Sequence, residues 1–305
     1  MIKVFGHKAP DTDSTGSPII WAWFLNEVRG TPAQPLLQGE PNSEAAWMLT
    51  RWNLDKPEIF SDVAEGDQCV LVDTNNPAEL PASLDQADVI EIIDHHLLAG
   101  GVKTRSPINI TVRPLACTAT IMHDLIGEDM ARAPEGIKGA MLTCILSDTL
   151  EFRSPTTTAH DRAVAEKLAG ELGIEIADYA SDMFAAKSDV SSFSDDQLLR
   201  VDSKSYELGE KKLRVSVLET TAPQVVLARK DAIMAAMPAT AAADGADEVL
   251  FFVVDILNEE ATLLVPNDYV RQVAERSFGV TVTGDSVVLP GVVSRKKQII
   301  PVLAV

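Results

Sequence analysis

Positive charge is what this sequence has least of: 26 lysines and arginines stand against 45 aspartates and glutamates, a formal net charge of −19 at pH 7. A surplus of that sign repels polyanions, so neither nucleic acid nor a membrane surface is an expected partner. Cysteine is scarce. Cys69, Cys117 and Cys144 are an odd number without framework spacing, each inside an apolar stretch, which points to buried reduced thiols in a cytoplasmic protein. No run approaches the ~18 apolar residues of a membrane span, and the opening Met-Ile-Lys-Val-Phe-Gly-His has no extended apolar segment, so neither insertion nor export is expected. No repeat of fixed period is present, and only the Ala-rich stretch from Ala235 to Ala246 is simple in composition.

Against these absences, 46% of the 305 residues are apolar and 23% charged, enough for a sizeable core and for two domains. A strand, polar loop, helix grammar opens the chain: the β-prone run Ile2 to Phe5, then Gly-His-Lys-Ala-Pro-Asp-Thr-Asp-Ser, then a helical segment through Ile19, Trp23 and Leu25. Further apolar runs deliver polar residues at their ends, Cys69 to Val72 before Asp73 and Val89 to Ile93 before Asp94-His95-His96. Helical stretches alternate with them at 42–52, 116–126 and 134–146, the last ending at Ser147-Asp148, and helices follow at 159–172 and 176–186. The expectation is an α/β fold: a larger N-terminal domain, 1–186, with a mostly parallel sheet flanked by helices, whose ligands would bind beyond the carboxyl ends of the strands. The polar, serine-rich stretch 187–196 reads as an interdomain linker. Beyond it, 197–305 reads as a smaller α/β domain with a mixed sheet, with strands at 213–218, 249–256 and 262–265 and helices at 224–237 and 269–278.

The polar residues at the strand ends carry the chemistry. His7, Asp11, Asp13, Asp73, His95 and Asp148 would, if gathered, place four carboxylates and two imidazoles together. Two divalent cations balance four carboxylates, and the histidines favour transition ions such as manganese or cobalt over magnesium. Each residue also has an ordinary role: Asp11 and Asp13 as turn or helix-capping residues, Asp73 as a loop residue, His95 as a hydrogen-bonded core histidine. Recurrence at three strand ends is what favours the metal role. Similarly, Arg295-Lys296-Lys297 could be a solvated surface or an edge-strand guard, and Lys204 by itself is an ordinary surface lysine.

Four segments, Gly6-His7-Lys8-Ala9-Pro10-Asp11-Thr12-Asp13-Ser14, Asp94-His95-His96, Ser147-Asp148-Thr149 and Ser294-Arg295-Lys296-Lys297-Gln298, closely resemble the motifs of family II inorganic pyrophosphatases, the manganese-dependent branch of the DHH phosphoesterases. Gly39-Glu-Pro-Asn42 with Glu44, Cys117-Thr-Ala-Thr120 and Glu151-Phe-Arg-Ser-Pro155 add to a likeness that spans nearly the whole chain. The resemblance implies hydrolysis of inorganic pyrophosphate to two phosphates by a metal-bridging hydroxide at a binuclear site. It implies two Mn2+ or Co2+ ions per subunit, with Mg2+ accompanying the substrate. His7, Asp11 and Asp73 would hold one ion, and Asp13, Asp73, His95 and Asp148 the other, with Asp73 between them. His96 would be the general acid, and Lys204, Arg295 and Lys296 would bind the phosphates; alternation along a strand would turn Lys297 away. A homodimer through the N-terminal domain is implied as well.

The chain departs from the pattern in one place. Many members have His-Asn-Glu after the bridging aspartate, where this chain has Thr74-Asn75-Asn76, so altered metal preference or turnover is expected. The nearest alternative is a DHH phosphodiesterase acting on short oligonucleotides or cyclic dinucleotides. Those relatives carry a Gly-Gly-Gly-His type motif in the C-terminal domain, which this sequence lacks. A metal- or nucleotide-binding protein that had lost its chemistry would have lost a ligand or the acid, and none is replaced here. No stretch is long enough for an inserted nucleotide-sensing module, so constitutive activity is expected.

Overall fold

A computed structural model describes residues 1–98, 100–187, 190, 193–209 and 211–304. It divides into two compact units, Met1–Lys187 and Ser188–Val305. Of the linker expected at 187–196, residues 188, 189, 191 and 192 lie outside the described residues.

The first unit is built on six strands, β1 (Ile2–Phe5), β2 (Ala33–Leu37), β3 (Glu58–Ile59), β4 (Gln68–Val72), β5 (Asp88–Asp94) and β6 (Asn109–Val112). They lie in the order β3-β2-β1-β4-β5-β6, and every neighbouring pair is parallel. Its helices are α1 (Thr12–Trp23), α2 (Ser43–Arg51), α3 (Thr118–Ile126), α4 (Glu135–Asp148), α5 (Ala159–Leu172) and α6 (Ile176–Lys187). β4 reads as an apolar run, Cys69 to Val72, because both sheet faces are covered there: these residues, with Val4 and Phe5 of β1, are at most 1% exposed. Each such side chain stabilises the sheet by about 1.5–3 kcal/mol. The chain runs outward from β1 through β2 to β3 and then resumes on the other side with β4. Loops leaving β1 and β4 therefore diverge, and the crevice between them is where an open parallel sheet takes its ligands. Facing that crevice, α1 is buried at every residue from Thr12 to Ala22, and Asp11 caps it by accepting the Ser14 N–H at 2.9 Å.

The second unit comprises α7 (Asp195–Leu198), β7 (Asp202–Leu208), β8 (Lys211–Thr220), α8 (Pro223–Leu227), α9 (Lys230–Ala243), β9 (Glu248–Asp255), β10 (Glu260–Leu264), α10 (Asp268–Phe278) and β11 (Ser286–Pro290). Its sheet, β11-β10-β9-β8-β7, is mixed: β8 and β9 run parallel and the other pairs antiparallel. The helix expected over 224–237 is two helices, because Arg229 leaves helical geometry between them while its guanidinium binds Val190 O, Phe193 O and the Asp195 carboxylate. Polar β7 was not expected as a strand; it pairs with β8 along its whole length and is the outermost strand of the sheet. Residues Arg295–Ile299 form a helical turn, so strand alternation does not separate Lys297 from its neighbours; Lys296 and Lys297 are both exposed.

Candidate metal centre

His7 follows β1, and its backbone N–H donates to Ser14 Oγ at 2.8 Å across the start of α1. That approach requires glycine at position 6, where a Cβ would lie 2.0 Å from the same oxygen. The Nδ1 of His7 is 2.7 Å from the Lys8 carbonyl, and the Nδ1 of His95, after β5, is 3.2 Å from the Leu115 carbonyl. Carbonyls only accept, so both rings carry a proton on Nδ1, which leaves Nε2 as the atom available to a metal. Both Nε2 atoms face Asp73. Nε2 of His7 is 3.4 Å from Asp73 Oδ2 and 3.5 Å from Asp11 Oδ2, while Nε2 of His95 is 3.3 Å from Asp73 Oδ1.

Asp73 follows β4 with φ +58°, a left-handed conformation that costs an L-residue about 1–2 kcal/mol. The sheet holds it there: its N–H continues the ladder to Ile93 O at 2.9 Å, and Thr118 Oγ1 donates to its Oδ1 at 3.2 Å. Asp13, in the first turn of α1, accepts Ser17 Oγ at 2.8 Å and the Thr118 N–H at 2.7 Å, so its charge faces the N-terminus of α3. Asp148 is the last residue of α4, where the helix dipole disfavours a negative charge. Its Oδ2 is buried without a hydrogen-bond partner among the described residues.

The protonation equilibria follow from this crowding. Burial lowers the affinity of the His7 imidazole for its proton, but Asp11 and Asp73 outweigh it and raise the pKa to about 11. Burial opposes protonation of His95 too, and Asp73 and Asp13 bring it to about 9. Asp13 is lifted to about 7 by burial and the nearby Asp73 charge, and Asp148 goes well above the usual carboxylate range through burial, Asp13 and Asp73. Asp73 is buried as well, yet the two histidines hold it below the usual range. Without other cations, protons do the neutralising.

The donor set fits divalent transition ions. Donor atoms about 2.1 Å from a shared ion stand roughly 3–3.4 Å apart, close to the 3.3–3.5 Å separations around Asp73. Asp148 contributes an unpaired buried oxygen, and imidazole with carboxylate suits manganese or cobalt.

Donor atoms of His7, Asp11 and Asp73 form one group within 4.8 Å, and those of Asp73, His95 and His96 another. Asp13 and Asp148 meet around the Cys117 thiol, a residue that the sequence offers as a buried thiol and as part of the Cys117-Thr-Ala-Thr120 likeness but not as a candidate ligand. The three cysteines are free and buried. Asp94, first of the DHH triplet and fully buried, had no assigned role; its Oδ1 is 2.9 Å from His96 Nδ1, and its Oδ2 accepts from Asn75. Thr118, within the Cys117-Thr-Ala-Thr120 stretch, bonds both Asp13 and Asp73, a role that no local pattern of the sequence signals. Lys204, exposed on β7, and Arg295 and Lys296, on the terminal turn, belong to the second unit.

Residues 1–149 match the DHH family N-terminal domain, and residues 181–304 match the DHHA2 domain. A Bacillus licheniformis protein named "Probable manganese-dependent inorganic pyrophosphatase" is 37% identical over 99% of this chain and 97% of its own. A Deinococcus radiodurans protein of the same name is 38% identical over 99% and 98%. Among solved structures, a Methanococcus jannaschii protein provisionally assigned to family II of the inorganic pyrophosphatases superposes with a TM-score of 0.61 at 32% identity, covering 99% and 97% of the two chains. An exopolyphosphatase-related protein from Bacteroides fragilis, at 15% identity and a TM-score of 0.51 over 98% and 89%, shares the fold. With full-length relatives above 30% identity and both domain models in order, the chain belongs to the manganese-dependent, family II inorganic pyrophosphatases of the DHH group.

Proposed function

We propose that this chain hydrolyses inorganic pyrophosphate to two phosphates at a binuclear Mn2+ or Co2+ centre. His7, Asp11 and Asp73 hold one ion; Asp13, Asp73, His95 and Asp148 hold the other. One observation carries the reading: the two oxygens of Asp73 face different histidines from different strands, Oδ2 toward His7 and Oδ1 toward His95, which is how a carboxylate serves two ions. Bound there, the ions, with Mg2+ arriving on the substrate, supply positive charge and acidify a water molecule.

The protein's own groups do the rest. His96 gives its proton to the departing phosphate oxygen, a role supported by the Asp94 carboxylate on Nδ1, which leaves Nε2 to act. Lys204, Arg295 and Lys296 neutralise phosphate charge and orient the substrate. A homodimer through the first unit is part of the same reading; outermost β6, with Ile110 56% exposed, supports it, and sedimentation velocity tests it.

The deciding assay measures phosphate release from pyrophosphate and cleavage of a dinucleotide by the manganese-loaded protein. Rapid pyrophosphate hydrolysis with an inert dinucleotide is expected. Efficient dinucleotide cleavage with inert pyrophosphate would replace this reading by the phosphodiesterase one.

A further inference from the structure

Resting on the reading of Lys204 and Arg295 as phosphate-binding cations, we propose that Asp202 is a positioning residue for the substrate. It docks the Ser294–Gln298 turn onto β7, so that Arg295 and Lys204 offer their donors from one face of the second unit's sheet.

Among the described residues, the Arg295 fork closes on Asp202. Nη1 donates to the Asp202 carbonyl at 2.5 Å and Nη2 to its Oδ1 at 2.8 Å. The arginine side chain is only 12% exposed, whereas that of Asp202 is 59% exposed. The turn itself is held by other bonds: Ser294 Oγ accepts the Lys297 N–H, Gln298 Oε1 accepts the N–H groups of Val293 and Ser294, and Gln298 Nε2 reaches Gly291 O. Ser294 and Gln298 thus shape the turn, and Asp202 sets where its arginine lies.

Strand periodicity puts Lys204 beside it. Residues 202, 204, 206 and 208 share a face of β7, and Tyr206 and Leu208 pack on the same core cluster that buries Ile299 at the end of the turn. Asp202 and Lys204 are two residues apart, roughly 7 Å along the strand, so docking Arg295 on Asp202 brings two cations to one patch. Of the five guanidinium donors, these bonds use two. An arginine held this way has already lost the rotamer freedom that phosphate binding would otherwise remove.

The test is steady-state pyrophosphate hydrolysis by the full-length, manganese-loaded protein. Asp202→Ala is expected to raise KM about tenfold while kcat stays within about threefold, and Asp202→Asn, which keeps the Oδ1 acceptor, to stay within about threefold of wild type in both. In an Arg295→Ala background, Asp202→Ala should change nothing further. If Arg295→Ala raises KM but Asp202→Ala leaves it unchanged or lowers it, or if the two effects multiply, the positioning role is wrong while the phosphate role of Arg295 stands. If Arg295→Ala leaves KM unchanged, the reading of Arg295 as a phosphate ligand fails and the positioning role fails with it. Thermal unfolding of Asp202→Ala near wild type separates these effects from misfolding.

Discussion

Within the DHH triplet, Asp94 and His96 form a carboxylate–imidazole pair: Oδ1 of Asp94 lies 2.9 Å from His96 Nδ1 and also accepts the His96 backbone N–H at 3.0 Å. Asn75 donates to the other oxygen of Asp94 and to the Leu97 carbonyl, which ties the pair to the loop after Asp73. The bond to Asp94 raises the His96 pKa and orients the ring, the service a buried carboxylate gives a catalytic imidazole elsewhere. The Thr74-Asn75-Asn76 segment therefore keeps an asparagine that acts on the proposed acid.

His96→Gln should lower kcat for pyrophosphate by about 10²–10⁴ while manganese binding stays close to wild type. Full activity in this variant removes the acid assignment. Asp94→Asn tests the pair through pH. The acid form of His96 exists below its pKa, and removing the carboxylate that raises that pKa depletes the acid earlier. The alkaline limb of the pH–rate profile should move to lower pH; an unmoved limb would show that Asp94 does not tune His96.

Manganese binding should release protons. With pKa values raised to about 11 and about 9, His7 and His95 are protonated at neutral pH in the metal-free protein, and an ion must displace those protons. Affinity should therefore rise with pH across neutrality. Calorimetric titration in buffers of different ionisation enthalpy measures the release directly, and an affinity flat from about pH 6 to 9 would contradict it.

Asp148→Asn should have opposite effects on the two forms of the protein. Without metal, the buried Asp148 carboxyl crowds Asp13 and Asp73, and replacing it relieves that strain; a gain of about 1 kcal/mol appears as a Tm rise of about 2–4 °C. With manganese, the variant lacks a ligand and should melt below wild type. Differential scanning calorimetry with and without chelator reads both signs, and equal shifts in both states would deny Asp148 a metal role.

Gly6→Ala should weaken manganese binding by about 10–100-fold without touching a ligand. The new Cβ, 2.0 Å from Ser14 Oγ, displaces the hydroxyl that accepts the His7 N–H and so moves His7. Isothermal titration gives the affinity; wild-type binding would show that His7 is placed by other contacts.

What is local could be read from the amino-acid order alone. Apolar runs such as 69–72 and 89–93 had to be buried strands, their polar successors had to sit at strand ends, and Asp11 could be read as a cap, because periods of two and 3.6 and capping chemistry act over a few residues. The motif residues of the candidate site were legible for the same reason, since each rides on its own strand end. Which ends adjoin depends on how the elements pack. The reversal of strand order between β1 and β4 brings His7 to Asp73, the β5 ladder adds His95, and Thr118 reaches back to both Asp13 and Asp73. Cys117 beside Asp148 and Asp202 under Arg295, 93 residues away, lie equally beyond any local pattern. Such pairs are chosen by packing whole elements into one core, where burial rewards only an arrangement in which the remote polar groups also find partners.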